Sequence, residues 1–246
     1  MTAPVTGPVP PPAALGLHPR RLLKGGHRNT VWLCDGPHGP VVAKSTRRTE
    51  AQLQWLVPLH HAARAAGFLV PALQHALSGH LHDQGWTIER WVDGRAAQSA
   101  DMAAFAPRIR AFHAACPPLP QRPGFCTLPN LVSQTRSGDI NLSALPSQIV
   151  PCLRDAWAAV SNTPARPVHG DLGPANLILT ANGPCLIDWD EARVDLPALD
   201  LIHSTTQSPE IVRAHLALEI ASGWQAEPDH ARTLLGRFGI RDDTMP

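Results

Sequence analysis

The most constraining feature of this sequence is an Asn182-Gly183 pair that separates two short apolar runs, residues 177–179 and 185–187. Such a pair between apolar runs is a strong signal for a β-hairpin, because Asn and Gly tolerate the positive φ angles of a tight turn. A hairpin returns the chain on itself, so the residue before its first strand lies near the residue after its second. We therefore expect Asn176 and Asp188 to lie close together.

A carboxylate, Asp171, lies on the loop that leads into this hairpin, where Gly170 and Pro174 restrict the backbone. With Asn176 and Asp188 it would gather oxygen-bearing side chains at one end of a two-stranded ribbon. Mg²⁺ prefers hard oxygen ligands, usually one or two carboxylates plus substrate phosphates. Phosphoryl transfer needs such a metal, and a carboxylate that orients the attacking hydroxyl. A single Asp on a loop is commonly a turn former, but the combined spacing favours a phosphoryl-transfer site.

Two segments resemble the signature motifs of the aminoglycoside phosphotransferase and choline kinase superfamily: residues 169–176 (HGDLGPAN) and residues 186–190 (LIDWD). These enzymes share the protein-kinase-like fold. The resemblance implies that Asp171 is the catalytic residue. It also implies that Asn176 and Asp188 bind Mg²⁺.

Two further positions gain an expected role from the same resemblance, and one departs from the family's pattern. His169 is expected to be structural, and Asp200 is expected to hold the catalytic loop from beneath. Many members carry His where this chain has Gly173. That position lies between the functional residues, so we expect activity to tolerate the difference.

Residues 23–32 (LKGGHRNTVW) resemble the family's phosphate-binding turn between two strands. Glycine lets backbone N–H groups approach phosphate oxygens without a Cβ in the way. The resemblance therefore assigns ATP binding to Gly25, Gly26, Asn29 and Thr30, although a Gly-Gly pair is commonly an ordinary turn. The chain has no G-x-G-x-x-G and no Walker sequence, which disfavours Rossmann and P-loop enzymes.

Lys44 ends a predicted strand about a dozen residues after that turn, and it matches the family's lysine on the ATP phosphates. Glu50 begins the next helix, where it could pair with Lys44 or simply complement the helix dipole. The backbone of Glu89 and Trp91, in a strand-like segment that would join two lobes, is expected to meet the adenine edge.

The order of elements predicts the fold class. Strand patterns come first, helical spacing dominates afterwards, and Ser208-Pro209 and Gly223 mark the start and stop of one late helix. We predict an α+β, protein-kinase-like two-lobed fold with a small β-rich N-lobe and a mainly helical C-lobe. Residues 1–19 would be a flexible Pro-rich tail, residues 20–92 the ATP-binding lobe, and residues 93–246 the lobe with the catalytic loop and acceptor site. ATP and Mg²⁺ are expected between the lobes.

Composition narrows the partners. The 246 residues carry a formal net charge of +1, which gives no bulk attraction to nucleic acid or to an anionic membrane. The five cysteines are odd in number and lack a C-x-x-C, so reduced thiols are expected rather than disulfides or a zinc site. Met1–Pro12 lacks the basic start and apolar core of a signal peptide. A cytoplasmic protein is expected.

These patterns predict an ATP-dependent phosphotransferase that acts on a hydroxyl of a small molecule, an aminoglycoside-like compound or another hydroxylated amine. Asp190 and Glu191 directly follow a predicted metal ligand and would favour a cationic acceptor. One alternative is a metabolite kinase of the choline, homoserine or fructosamine type. Another is a nucleotide-binding pseudokinase without turnover. Protein phosphorylation is disfavoured, because D-F-G and A-P-E patterns are missing. The acceptor's identity and the oligomeric state stay open.

Overall fold

The computed structural model describes residues 8–23 and 28–240, and these divide into two units. The sheet unit contains residues 8–23, 28–54 and 71–93, and the helical unit contains residues 55–70 and 94–240. Residues 55–70, which the sequence analysis placed in the N-terminal lobe, thus belong to the helical unit. The reason is packing, since His60 in this segment lies edge-on against the ring of Trp189, with ring centroids 4.9 Å apart.

One antiparallel sheet dominates the sheet unit. Its strands are β1 His18–Leu22, β2 Val31–Gly36, β3 Gly39–Ser45, β4 Leu73–Gln74, β5 His82–Asp83 and β6 Trp86–Arg90. Within the described residues the order is β1-β2-β3-β6-β4, with β5 also paired to β6. One face is apolar and packs Cys34, Val41 and Ile88 together. A short helix, α1 Glu50–Gln54, follows β3.

The N-terminal segment contributes to the core of the sheet unit. Leu15 and Leu17 are buried against the sheet, at 3% and 6% exposure, and a 3-10 turn covers Ala13–Leu15. Both residues fall in the predicted flexible tail, residues 1–19. A Pro-rich composition is typical of a tail, but burial of these two leucines removes apolar surface from water and stabilises the segment. Residues 1–7 lie outside the described residues.

The helical unit contains five helices and several short strands within its described residues. The helices are α2 Val57–Ala65, α3 Ala106–Ala115, α4 Val150–Ala158, α5 Pro209–Gly223 and α6 Pro228–Phe238. The strands are β7 Arg95–Ala96, β8 Arg136–Ser137, β9 Ile140–Asn141, β10 Arg166–Val168, β11 Leu177–Thr180, β12 Gly183–Leu186 and β13 Arg193–Asp195. None of these helices combines the length and apolar character that crossing a bilayer requires.

Helix α5 begins and ends where the sequence predicts. The Ser208 hydroxyl accepts the N–H of Ile211 at 3.4 Å, Pro209 occupies the first turn, and the helix ends at Gly223. Trp157 on α4 is fully buried in the core beneath α5. Its indole N–H donates to the carbonyl of Ala214 on α5 at 3.2 Å.

The predicted hairpin is confirmed. Strands β11 and β12 pair in antiparallel register from Leu177 with Leu186 to Thr180 with Gly183. The two turn residues are therefore Ala181 and Asn182, and Gly183, at φ 127°, opens the second strand. Strand β7 pairs with the outer side of β11 to complete a three-stranded sheet.

Candidate active site

The open end of the β11–β12 hairpin brings the two predicted metal ligands together. Beyond the paired strands, Ile187 donates its N–H to the Asn176 carbonyl at 3.1 Å, which extends the ladder by one step. Asn176 and Asp188 therefore flank the same end of the hairpin, as predicted. Their roles as ligands stay a prediction.

Asn176 is tied to the predicted catalytic residue. Its Nδ2 atom donates to the Asp171 carbonyl at 2.7 Å and to the Asp171 side-chain Oδ2 at 2.9 Å. These bonds use the amide nitrogen and leave Oδ1 as the acceptor atom of this side chain. Because Asp171 lies at the exposed side of the loop, its carboxylate is both accessible and held in one orientation.

Asp188 has an unusual backbone. Its φ is 61°, in the left-handed region that few residues other than Gly adopt, and Asp is among those that tolerate it. Together, an Asp carboxylate and an Asn amide oxygen are the hard donors that Mg²⁺ prefers, so the residues present fit this ion. Among the described residues, no three His, Cys, Asp or Glu side chains form a metal-binding cluster. Mg²⁺ in phosphoryl-transfer sites commonly takes its other ligands from phosphates.

Asp200 anchors the loop that carries Asp171. It is fully buried, and its carboxylate accepts the backbone N–H groups of His169 and Gly170, each at 2.8 Å. His113 on α3 contributes a third contact through Nε2 at 2.8 Å. Burial alone would raise the pKa of Asp200, but the bonds from His113 and His169 outweigh it and hold the pKa below its ordinary value. The loop is therefore attached to a buried, ionised carboxylate.

His169 connects the same loop to the hairpin. Its imidazole is fully buried, and Nε2 lies 3.0 Å from the Ile187 carbonyl, one residue before Asp188. The ring also packs against Trp189, with centroids 4.5 Å apart. These contacts are of the structural kind that the resemblance implies.

Gly170 lets the two loops approach closely. Its φ is 83°, and an added Cβ would collide with the carbonyl oxygen of Glu191. The residue is therefore restricted to Gly by both conformation and space. On the other side of Asp171, Gly173 has the His203 imidazole as its neighbour, 3.5 Å from where a Cβ would stand.

Two buried arginines hold the segment that follows Asp188. Arg122 donates from Nη1 to the carbonyls of Trp189, Asp190 and Ala192. Arg193 donates to the Glu191 carbonyl at 2.8 Å. Sequence reasoning missed both residues, because an isolated Arg in a loop carries no signal that it will be buried.

Asp195 balances the charge of Arg193. It is fully buried and accepts Arg193 Nε at 2.7 Å as well as the N–H groups of Leu128 and Leu196. Burial would lower the pKa of Arg193, but Asp195 and Glu191 raise it above its ordinary value. The Glu191 carboxylate lies 3.8 Å from Arg193 Nη1, so part of its charge faces inward. Asp190 and Glu191, the predicted acceptor residues, are both half-buried.

In the sheet unit, Lys44 lies on β3, between its register partners Val31 on β2 and Thr87 on β6. Thr30 directly precedes β2, and its N–H donates to the hydroxyl of Ser45, the last residue of β3, at 2.8 Å. Asn29 directly precedes it. Of the other residues predicted in this turn, Gly25 and Gly26 lie outside the described residues.

Glu50 starts α1, as the sequence predicts. Its carboxylate accepts the backbone N–H of Leu81 at 3.1 Å and the side-chain amide of Gln54 at 3.2 Å. These bonds tie the helix start to a neighbouring loop. Pairing of Glu50 with Lys44 stays a prediction.

At the end of β6, some backbone groups are already hydrogen-bonded within the sheet. Trp91 donates its N–H to the Pro40 carbonyl at 3.1 Å, and Glu89 is the register partner of Val42. Backbone groups alternate in direction along an antiparallel strand. Since Trp91 and Glu89 point toward β3, Arg90 between them points the other way. The adenine contact at Glu89 and Trp91 stays a prediction, and the Trp91 N–H is already bonded to the Pro40 carbonyl.

Comparison with known proteins adds a family and a fold. The chain matches the Phosphotransferase enzyme family, APH, over residues 20–235. Comparison with curated proteins gives no match.

Three solved structures resemble the chain over most of its length. Amicoumacin kinase hAmiN in complex with AMP-PNP, Ca²⁺ and Ami is 14% identical, with a TM-score of 0.63 over 92% of this chain and 89% of that one. A thermostable aminoglycoside phosphotransferase APH(4)-Ia in ternary complex with ADP and hygromycin B is 12% identical, with a TM-score of 0.59 over 92% and 94%. A Plasmodium vivax ethanolamine kinase is 12% identical, with a TM-score of 0.50 over 89% and 81%. At these identities the likeness shows the fold, and the predicted α+β, protein-kinase-like fold is confirmed.

Proposed function

The chain belongs to the phosphotransferase enzyme family, and from this premise we propose that it transfers the γ-phosphoryl group of ATP to a hydroxyl of a small molecule. The observation that carries the proposal is the Asp171–Asn176 pair at the open end of the hairpin, one ladder step from Asp188. This arrangement brings a proton acceptor and two oxygen ligands together at one end of the hairpin.

Asp171 acts on the acceptor in this proposal. Its carboxylate accepts the proton of the attacking hydroxyl and orients the oxygen toward phosphorus. The Asn176 amide donates to Oδ2 of this carboxylate at 2.9 Å and so fixes its orientation. Asp200 keeps this geometry by fixing the backbone of the loop at His169 and Gly170.

Asn176 Oδ1 and the Asp188 carboxylate would hold Mg²⁺. The ion, when bound, neutralises charge on the phosphate oxygens. The positive φ of Asp188 turns its side chain at the point where the chain leaves the hairpin. Amicoumacin kinase hAmiN, whose structure contains AMP-PNP and Ca²⁺, supports nucleotide and divalent-metal use in this fold.

Residues of the sheet unit would bind the nucleotide. Lys44 would contact the phosphates, together with the turn around Asn29 and Thr30 that precedes β2. The backbone groups of Arg90, which point away from β3 at the end of β6, would bind the adenine edge.

The acceptor would be a hydroxylated amine, with aminoglycoside-like compounds first and small amino alcohols second. Asp190 and Glu191 follow the metal ligand and supply negative charge that favours a cationic group. His203 lies beside Gly173, two residues from Asp171, and burial lowers the pKa of its imidazole, so a neutral ring faces this side of the loop. Solved structures of similar fold include an APH(4)-Ia complex with hygromycin B and an ethanolamine kinase. These two favour an antibiotic and a metabolite acceptor respectively.

The test is an ADP-release screen of purified protein with Mg²⁺ and ATP against aminoglycosides, small amino alcohols and sugar acids. We expect turnover with at least one amine and, for Asp171→Asn, a loss of at least about a hundredfold in kcat with nearly unchanged ATP affinity. Asp155→Asn, on the exposed face of α4, is the matched control and should keep full turnover.

Three results would contradict all or part of the proposal. Turnover by a folded Asp171→Asn variant at the wild-type rate would remove the catalytic assignment. Nucleotide binding with no release of ADP above the uncatalysed rate for any acceptor would favour the pseudokinase alternative. Turnover with sugar acids alone would overturn the amine acceptor and leave the phosphotransferase standing.

A further inference from the structure

The segment from Trp189 to Ala192, directly after the proposed metal ligand Asp188, turns four consecutive backbone carbonyls toward buried guanidinium groups. Arg122 Nη1 donates to the carbonyls of Trp189 at 3.2 Å, Asp190 at 2.8 Å and Ala192 at 3.0 Å. Arg193 Nη1 donates to the remaining one, on Glu191, at 2.8 Å. We call this arrangement the carbonyl clamp.

Carbonyl oxygens that lie close together repel one another, and those that are buried lose their hydrogen bonds to water. Such groups are stable only when donors replace the water. Within the segment, the Ala192 N–H donates to the Trp189 carbonyl at 3.2 Å. A charged guanidinium is a stronger donor than a neutral amide. The curled conformation of this segment therefore depends on the two arginines.

Arg122 is itself placed firmly from outside the segment. It is fully buried, and its guanidinium stacks on the ring of Phe125, with 4.9 Å between the central carbon and the ring centroid. The preceding Gln121 binds both backbone groups of Val194, accepting its N–H at 2.9 Å and donating to its carbonyl at 2.8 Å. These two bonds attach the loop that carries Arg122 to β13, which directly follows residues 189–192 in the chain.

The two arginines differ in what else they do. Arg193 pairs with the buried Asp195, which also fixes the backbone at Leu128, so its replacement would disturb several elements. The Arg122 guanidinium contacts three carbonyls of the segment after Asp188, whereas the Arg193 guanidinium contacts one. Arg122 is therefore the better probe of the clamp.

We propose that Arg122 is a positioning residue for metal binding: by holding the carbonyls of residues 189, 190 and 192, it keeps Asp188 in its left-handed conformation and its carboxylate directed at the ion. The inference rests on the proposed function, because it takes Asp188 as a Mg²⁺ ligand. It assigns Arg122 no contact with substrate.

The test compares Arg122→Met, which keeps the length of the side chain and removes its donors, with Arg122→Lys, which keeps the charge and loses the fork. Mn²⁺ is the probe, and its affinity for the protein–AMP-PNP complex is measured from the paramagnetic resonance signal of the free ion. AMP-PNP affinity in EDTA is measured in parallel. For Arg122→Met we expect Mn²⁺ affinity to fall by at least about tenfold, as is typical when a supporting partner of a metal ligand is removed. AMP-PNP affinity without metal should change less than about twofold, and Arg122→Lys should be intermediate.

Arg213→Met is the matched control. Arg213 also lies over a Phe ring, that of Phe238 at 3.9 Å, and also donates to a backbone carbonyl, that of Phe238 at 2.9 Å, but it lies on α5 away from the clamp. Its replacement should leave Mn²⁺ affinity unchanged. Millimolar guanidinium should restore part of the Mn²⁺ affinity of Arg122→Ala, because the free ion can occupy the vacated place and donate to the same carbonyls.

Hydrogen exchange at the amides of residues 189–193 reports on the clamp without nucleotide, and these amides should exchange faster in Arg122→Met. A folded Arg122→Met protein with wild-type Mn²⁺ affinity would overturn the proposal while the proposed function stands. If the wild type shows no metal-dependent binding of AMP-PNP, the proposed function fails, and unchanged exchange at these amides would then refute the clamp as well.

Discussion

Buried polar side chains in this protein differ in whether their polar atoms have hydrogen-bond partners. Asp200 and Asp195 are fully buried and each accepts several hydrogen bonds. His60 on α2 is also buried, but its Nε2 atom has no hydrogen-bond partner among the described residues. It packs edge-on against Trp189. Burial, followed by the positive charge of Arg64, lowers the pKa of His60 from 6.5 to about 3.

This pKa predicts a loss of stability in acid. The unfolded chain binds a proton near pH 6.5, whereas the folded protein leaves His60 neutral down to about pH 3. Stability is therefore complete above about pH 6.5 and falls as the pH drops through this window, by roughly 1.4 kcal/mol per pH unit. We expect His60→Leu to reduce the loss between pH 7 and pH 5 by about 2 kcal/mol, measured by urea unfolding at both values.

The adjacent His61 is exposed and gives the control for this experiment. His61→Leu should keep most of the wild-type dependence on pH, because burial is the largest cause of the lowered pKa of His60. His215, whose pKa burial lowers to about 4, contributes in the same direction in every variant, so only the difference between wild type and His60→Leu measures His60. The same slope in both His variants would contradict the assignment.

At the scale of residues, sequence reasoning found the groups with a motif and missed those without one. Asp171, Asn176 and Asp188 were predicted from their spacing around a hairpin, because local chain geometry decides whether they meet. Arg122 and His113 contact residues 67 and 87 positions further along the chain. Nothing local in the sequence encodes such contacts.

Among the elements, two hairpins each have a glycine with a positive φ angle directly after the turn. Gly39 after the β2–β3 turn and Gly183 after the β11–β12 turn have φ angles of 111° and 127°, and nothing lies within 4 Å of a Cβ added at either position. A side chain there would meet free space but an unfavourable backbone angle. The cost of substitution is therefore conformational rather than steric.

The two positions allow a matched prediction. Gly183→Ala and Gly39→Ala should each lower the free energy of unfolding by roughly 1–2 kcal/mol. Gly183→Ala alone should raise the Mg²⁺ concentration required for half-maximal ADP release, because only the β11–β12 hairpin sets the spacing of Asn176 and Asp188. An equal shift in Mg²⁺ requirement for both variants would show that the hairpin does not control the metal ligands.

Register is the level of element structure that the sequence left undecided. A strand-like segment over residues 86–92 was predicted, but the side of the strand to which each backbone group points was not. A strand pattern shows which side chains are buried, and it does not show which neighbouring strand takes each N–H. That information came from the Trp91 bond to Pro40.

For the whole molecule, the five cysteines provide a measure of global unfolding. All five are free thiols; four of them are buried and one, Cys152, is partly exposed. Burial raises the pKa of Cys116 to about 12, so its reactive thiolate is about a thousandfold scarcer than for an ordinary thiol. We expect an aromatic disulfide reagent to label Cys152 in the native protein, and the other four after denaturation. Cys152→Ser should abolish native labelling, whereas fast labelling of several thiols without denaturant would contradict the buried core.

The assignment of residues 55–70 to the helical unit has a consequence for synthesis on the ribosome. Helix α2 leaves the exit tunnel long before Trp189, the residue on which His60 packs, has been translated. The nascent chain must therefore carry an amphipathic helix with part of its apolar face uncovered for more than a hundred codons. Chaperones that bind apolar segments of nascent chains would find this helix available throughout that interval. The pace of translation through the second half of the message thus becomes a determinant of yield.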